Sequence, residues 1–268
     1  AAGMISQTQI STVHTLFNIG TTLLLFPVSD WIIKLAKKIS HVEDVEVDES
    51  KVQLDERMLE TPGIALQSTI SECVRMGEIV KNCMECSKEV LFSMDYNHIM
   101  RIKEEEDKVD RLCAGITGYA IKITSLSVSE KEHKEAASLL QVASDMERVS
   151  DYCENIAEFT ENLIEHKVSF TEIGKEHLRS MMEVCAKSYE YALEAYRNHD
   201  KELALKVIEE ETKADNLEVT LRAEHIERLA ANQCQTEAGI VFLDTLVCLE
   251  RISDHARNIA EEVLNHIA

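Results

Sequence analysis

The chain has 268 residues, a formal net charge of −21 and 45% hydrophobic residues. Glycine and proline together make only ten residues, under 4% of the chain, against about 12% in average usage, which argues against turn-rich β-sandwiches and against Gly-looped Rossmann or TIM architectures. The negative field repels nucleic acid and anionic lipid and favours cations, and no GxGxxG or P-loop motif occurs.

The chain begins at Ala1 and reads as a piece of something longer. Its first 41 residues carry one acid, Asp30, and three lysines, a net +2, so the chain's net negative charge comes from the residues beyond them. Leu16 to Ile33 is an apolar run of 18 residues with one charge near its end, followed by Lys34, Lys37 and Lys38. A bilayer core needs about 20 apolar residues. The Trp31 boundary and trailing lysines fit a membrane helix with the downstream chain in the cytoplasm. The alternative is an amphipathic or core helix. Residues 42–61 read as an acidic linker.

From Pro62 onward the apolar residues recur at helical spacing. Breaks at 94–97, 126–129, 167–170, 198–200 and 232–236 give six helices, about 62–93, 95–125, 130–166, 170–198, 200–231 and 236–267. Ser129 followed by Glu132 has the form of a capping box. Leu139, Val142, Met146, Val149, Cys153, Ile156 and Leu163 form one stripe. Leu243, Leu246, Leu249, Ile252, Ala256, Ile259 and Val263 form another. Such stripes belong to helices packed in a bundle. The eight cysteines are scattered through these patterns and are expected to be reduced, mostly buried thiols.

The chain repeats itself. Glu147 to Glu158, ERVSDYCENIAE, matches Glu250 to Glu261, ERISDHARNIAE, at an offset of 103. Glu104 to Asp110, EEEDKVD, matches Glu209 to Asp215, EEETKAD, at an offset of 105. Helices two and three therefore recur as five and six. The fold class is all-α: two tandem three-helix bundles, 62–167 and 168–268, behind one hydrophobic helix.

Each repeat carries two Glu-x-x-x-Asp pairs: Glu106/Asp110 and Glu147/Asp151, then Glu211/Asp215 and Glu250/Asp254. A spacing of four puts both carboxylates on one helix face. Asn155 and Asn258 extend the rows by a turn. If rows on neighbouring helices converge, the crowded carboxylates need a counter-charge. Lys108, Arg148, Lys213 and Arg251 are nearby candidates. Hard cations are the others, because oxygen-only ligand sets suit Mg, Mn, Ca or Fe. The plain alternative is a solvated acidic face. A ferritin-like di-iron site needs two Glu-x-x-His motifs; only Glu130/His133 fits, without a repeat partner. No nucleophile–base arrangement is present, so an enzyme is not expected.

The paired ERxSDxxxNIAE helices, the upstream EEExKxD segments and the doubled three-helix organisation resemble the PhoU family of bacterial phosphate-signalling proteins, over about 62–267. The resemblance implies two three-helix bundles with metal clusters on E(D)xxxD motifs, which map onto the four pairs above. It also brings inorganic phosphate into view. The run Thr12-Val-His-Thr-Leu-Phe-Asn18, the apolar stretch and Pro27 are similar to the end of the membrane region in the Na⁺/phosphate cotransporter family, whose bacterial members often carry a PhoU-like domain. The join resembles Leu54-Asp55-x-Arg57-x-Leu59-x-x-Pro62-x-x-Ala65-Leu66. The QSSS motifs of that family are absent, so this piece is not expected to transport by itself.

Three readings follow. The first is a cytoplasmic regulatory domain of a Na⁺/phosphate symporter at the cell membrane, with the rest of the transporter upstream and Fe, Mn or Mg on the carboxylate rows. The second is a membrane-anchored PhoU-like adaptor, and a homo-oligomer is compatible with either. The third is a carboxylate-bridged metalloenzyme.

Overall fold

The computed structural model describes residues 14–15, 17–21 and 50–266. The chain divides into two units, Ala1–Asp48 and Glu49–Ala268. In the first, the described residues are helical, and Thr21 donates its hydroxyl to the Phe17 carbonyl at 2.7 Å. The membrane helix expected over residues 16–33 lies mostly outside the described residues. Among the described residues, no helix is long and apolar enough to cross a membrane.

The second unit holds six long helices: α1 (Pro62–Ser93), α2 (Tyr96–Thr124), α3 (Glu130–His166), α4 (Glu172–Asn198), α5 (Lys201–Ala230) and α6 (Thr236–His266). The starts of α2 to α5 are set by side-chain caps, while α1 opens on Pro62 with no cap bond from Thr61. Asp95 accepts from the Asn97 amide, Thr171 from Gly174, and Asp200 from Glu202 and Leu203, each satisfying otherwise orphaned helix donors. Ser129 and Glu132 form the reciprocal capping box read from the sequence. Phe170, expected as the first residue of α4, instead precedes the cap and turns its ring into the core.

The helices stop in an unusual way for a chain so poor in glycine. Met94, Lys167, His199 and Asn232 take the left-handed conformation, with φ of 53–54°. Side chains with a Cβ bear a steric cost there that glycine does not.

α1–α3 form one bundle and α4–α6 the other. α1 packs on α4, and α3 on α6, so equivalent helices meet across a pseudo-two-fold seam. Both predicted apolar stripes are buried, save the half-buried Leu243. Gly77 lets the helices approach at the seam. A Cβ there would lie 2.5 Å from Leu193 of α4 and 3.1 Å from Met146 of α3, and its carbonyl accepts from the buried Tyr189 hydroxyl at 3.2 Å.

The stretch read as an acidic linker is, over its described part, no free tether. Residues 51–60 form a strap on α1 and α2. The Gln53 amide donates to Glu72 at 3.0 Å, Arg75 reaches the Lys51 carbonyl at 3.1 Å, and the Tyr119 hydroxyl reaches the Asp55 carbonyl at 2.8 Å. Leu54, Met58 and Leu59 cover Leu66, Tyr119 and Ile123. Apolar side chains spaced among the acids supply the burial that holds it. Gly115 leaves the space that Val52 fills, since a Cβ there would lie 2.7 Å from the valine.

All eight cysteines are free and most are buried. Burial pushes the thiols of Cys73 and Cys83 up to about 12, which keeps them protonated and poor nucleophiles.

Candidate metal centre

The rows converge. On the first repeat, one carboxylate oxygen each from Glu106 and Asp110 of α2 and Asp151 of α3 lie within 4.8 Å of one another. On the second, Glu211 and Asp215 of α5 and Asp254 of α6 do the same. Heptad-like burial fixes this arrangement: Val109 and Leu112 on α2, and Val149 and Ile252 on α3 and α6, face the core, which turns the adjacent carboxylates toward the groove between the helices. Glu147 and Glu250 stand one turn earlier on α3 and α6, both half-buried.

Burial and crowding raise the proton affinity of six of these carboxylates. Glu106 is pushed up to about 7, by burial first and then by Asp110 and Glu154. Burial, then Asp151, raises Glu147; burial, then Asp254, raises Glu250. Asp151, Asp215 and Asp254 are raised as well, burial again leading. Like charges at this separation repel by about 3–4 kcal/mol per ionised pair at an effective dielectric near 20, so the groups share protons or a cation.

Only part of the expected counter-charge is delivered. Arg148 reaches Asp151 at 3.3 Å and Arg251 reaches Asp254 at 3.2 Å. Lys108 and Lys213 turn away to Glu105 and Glu210. Two residues missed in the sequence join the sites. Glu154 adds its charge to the first. Arg257, its repeat equivalent, pairs with Glu211 at 2.8 Å and Glu261 at 2.9 Å in the second. Both sit one helical turn past the row aspartates, at i+3, and that spacing was the available signal.

The asparagines do not behave as a matched pair. Asn155 is half-buried on α3, one turn beyond Asp151. Asn258 was expected to extend its row, but its amide donates 3.0 Å across the seam to Asp145. The buried Asp145 carboxylate had no partner on its own bundle except Gln141 at 2.9 Å, so it draws donors from the other. His255 faces the same carboxylate, away from Asp254.

The donor chemistry fits a hard cation. Each triad offers oxygens only, from two helices, with Asp110 and Asp215 open to solvent. Such sets suit Mg, Mn, Ca or ferric iron. Cys86, Glu89 and His98 also come within 4.8 Å of one another, but burial raises the Cys86 thiol, which makes it a weak donor.

The fold and the paired sites define a class: tandem three-helix-bundle proteins with a carboxylate cluster on each repeat. A PhoU domain model matches residues 73–160 and 178–263. The chain belongs to the PhoU family. It is 28% identical over 195 residues to the phosphate-specific transport system accessory protein PhoU homolog 1 of Thermotoga maritima, covering 72% of this chain and 83% of that protein. It is 21% identical over 254 residues to YjbB of Salmonella typhimurium, a protein named for inorganic phosphate export, covering 94% of this chain. The chain spans 47% of the length of that relative. The crystal structure of PhoU from Pseudomonas aeruginosa superposes with a TM-score of 0.71 at 24% identity, over 75% of this chain and 96% of that one.

Proposed function

We propose that this chain is the regulatory part of an inorganic phosphate transport protein of the Na⁺/phosphate symporter kind. Residues 1–41 are the end of its membrane region and residues 42–268 lie on the cytoplasmic side. The PhoU bundles act as an accessory domain and not as a catalyst. The observation that carries the reading is the convergence of three carboxylates at equivalent places in both repeats. Support for the transporter context comes from the match to YjbB, which takes in the segment ahead of the bundles, and from the change of charge at residue 41.

The mechanism is a shift between two packings. Glu106, Asp110 and Asp151 in the first repeat, and Glu211, Asp215 and Asp254 in the second, are the residues that would hold Fe, Mn or Mg, and the charge of such an ion would favour the close approach of the helices that carry them. With the metal gone, the carboxylates relieve their repulsion by protonation or by parting. A ligand shifts such an equilibrium by its differential affinity for the two states. α2 carries Glu106 and Asp110, and two turns further on the strap contacts Gly115 and Tyr119. A movement of α2 therefore reaches the strap, residues 51–60.

The test is phosphate flux in cells carrying the complete transporter gene, with wild type against an Asp151→Asn/Asp254→Asn pair. The expected result is flux that no longer responds to phosphate supply in the variant. An unchanged response, with the variant protein present at wild-type level, would remove the reading.

A further inference from the structure

The two carboxylate clusters occupy equivalent places but differ in one residue. In the first, Glu106, Asp110, Glu147, Asp151 and Glu154 meet a single arginine, Arg148. In the second, Glu211, Asp215, Glu250 and Asp254 meet two, Arg251 and Arg257. The formal charges are therefore −4 and −2. Glu218, which also neighbours the second cluster, is taken by Arg222.

The position of Arg257 matters more than its charge. Its Nη1 donates to Oε1 of Glu211 at 2.8 Å and its Nε to Glu261 at 2.9 Å. Glu211 is a ligand candidate whose side chain is only 5% exposed. Its repeat equivalent is Glu106, and among the described residues no lysine or arginine pairs with Glu106. The second cluster thus holds a cation of the chain's own on the inner carboxylate, where the first holds none. A guanidinium is bulky, planar and permanently charged. While it sits on Glu211 it withdraws that oxygen and repels an incoming ion.

We infer that the two clusters are not equivalent in this protein: the first repeat takes the metal, and Arg257 stands in for metal in the second. This rests on the metal reading above and makes it asymmetric. A signal through α2 and the strap then originates in the first repeat, while the second acts as a permanently closed counterpart.

The experiment is retained Mn²⁺, counted by mass spectrometry per chain after incubation with Mn²⁺ and gel filtration. It compares the wild type with Asp151→Asn, Asp254→Asn and Arg257→Glu, with helicity checked by circular dichroism. Wild-type Mn²⁺ is expected to fall sharply with Asp151→Asn and to stay nearly unchanged with Asp254→Asn. Arg257→Glu copies the first repeat. It is expected to tighten the second cluster by about tenfold or more, from removal of the facing charge, and to add Mn²⁺ that Asp254→Asn then removes. If Arg257→Glu fails to fold, Arg257→Gln serves, with a smaller gain in the same direction. Equal losses from Asp151→Asn and Asp254→Asn, or no gain in either Arg257 variant, overturns the asymmetry while leaving metal binding in place. A wild type that retains no more Mn²⁺ than an Asp151→Asn/Asp254→Asn pair overturns both.

Discussion

Asp145 of α3 and His255 of α6 meet across the seam between the bundles, with Nδ1 2.8 Å from a carboxylate that is 3% exposed. Asn258 and Gln141 complete its donors at 3.0 and 2.9 Å, and Tyr152 stacks on the imidazole at 5.8 Å. The carboxylate lies two residues from Glu147, and His255 is next to Asp254. One buried group therefore joins the two repeats close to both clusters. Asp145→Ala leaves three donors without their acceptor, and a cost of about 2 kcal/mol is expected. Urea unfolding at neutral pH measures it; a change within 0.5 kcal/mol, on the scale of surface substitutions, would show that the knot is ornamental to stability.

The pH dependence has a definite sign. Glu106 is raised from the ordinary 4.5 to about 7 in the folded chain. A carboxyl with a raised folded pKa binds more protons folded than unfolded, so its contribution is full below about 4.5 and is lost as pH rises through about 7. Glu147, Asp151, Glu250 and Asp254 shift in the same direction. The metal-free chain is expected to melt at lower temperature at pH 8 than at pH 6. Glu106→Gln flattens that slope. A melting temperature that climbs from pH 6 to 8 in chelator contradicts the assignment.

Metal should reverse the loss. Saturating Mn²⁺ at 100 times its Kd adds about 2.7 kcal/mol through linkage to the folded state. The gain is expected at pH 8 and to shrink at pH 5.5, where protons compete for the same oxygens. Melting curves with and without Mn²⁺ at the two pH values test this, and an equal gain at both would point to binding elsewhere.

The left-handed helix ends offer a test of local strain. Lys167 and His199 hold φ of 54° and 53°, where a Cβ costs about 1–2 kcal/mol. Glycine removes that cost but loses more chain entropy on folding, about 0.5–1 kcal/mol. Lys167→Gly and His199→Gly are each expected to stabilise by about 0.5 kcal/mol. Loss of stability in both would mean that their side chains hold more than the backbone shows.

The opposite outcome is expected at Gly77. Alanine there meets Leu193 and Met146 in the seam, and overpacking of this kind costs about 1–3 kcal/mol. Gly118, with nothing within 4 Å of its added Cβ, provides the control: Gly118→Ala should gain the helix propensity that glycine lacks, up to about 1 kcal/mol.

The sequence by itself determined the helices, their order, the doubling and the carboxylate pairs. Period-3.6 burial, the Ser129/Glu132 capping box and the repeated ERxSD run are local properties, written into neighbours along the chain. It also placed Glu147 with Asp151 and Glu250 with Asp254 on one face, because i,i+4 geometry needs no tertiary knowledge. Tertiary structure alone decided what lies across from each row. Asp151 meets Glu106 and Asp110, and the lysines expected to neutralise them go elsewhere. Asn258 leaves its row for Asp145, since a buried carboxylate with too few donors takes them from whichever helix packs against it. The inequality of the clusters was visible as Glu154 against Arg257, but its meaning was not. Whether a charge one turn away joins a site depends on the rotation of the helix about its axis, and packing against the other bundle sets that rotation.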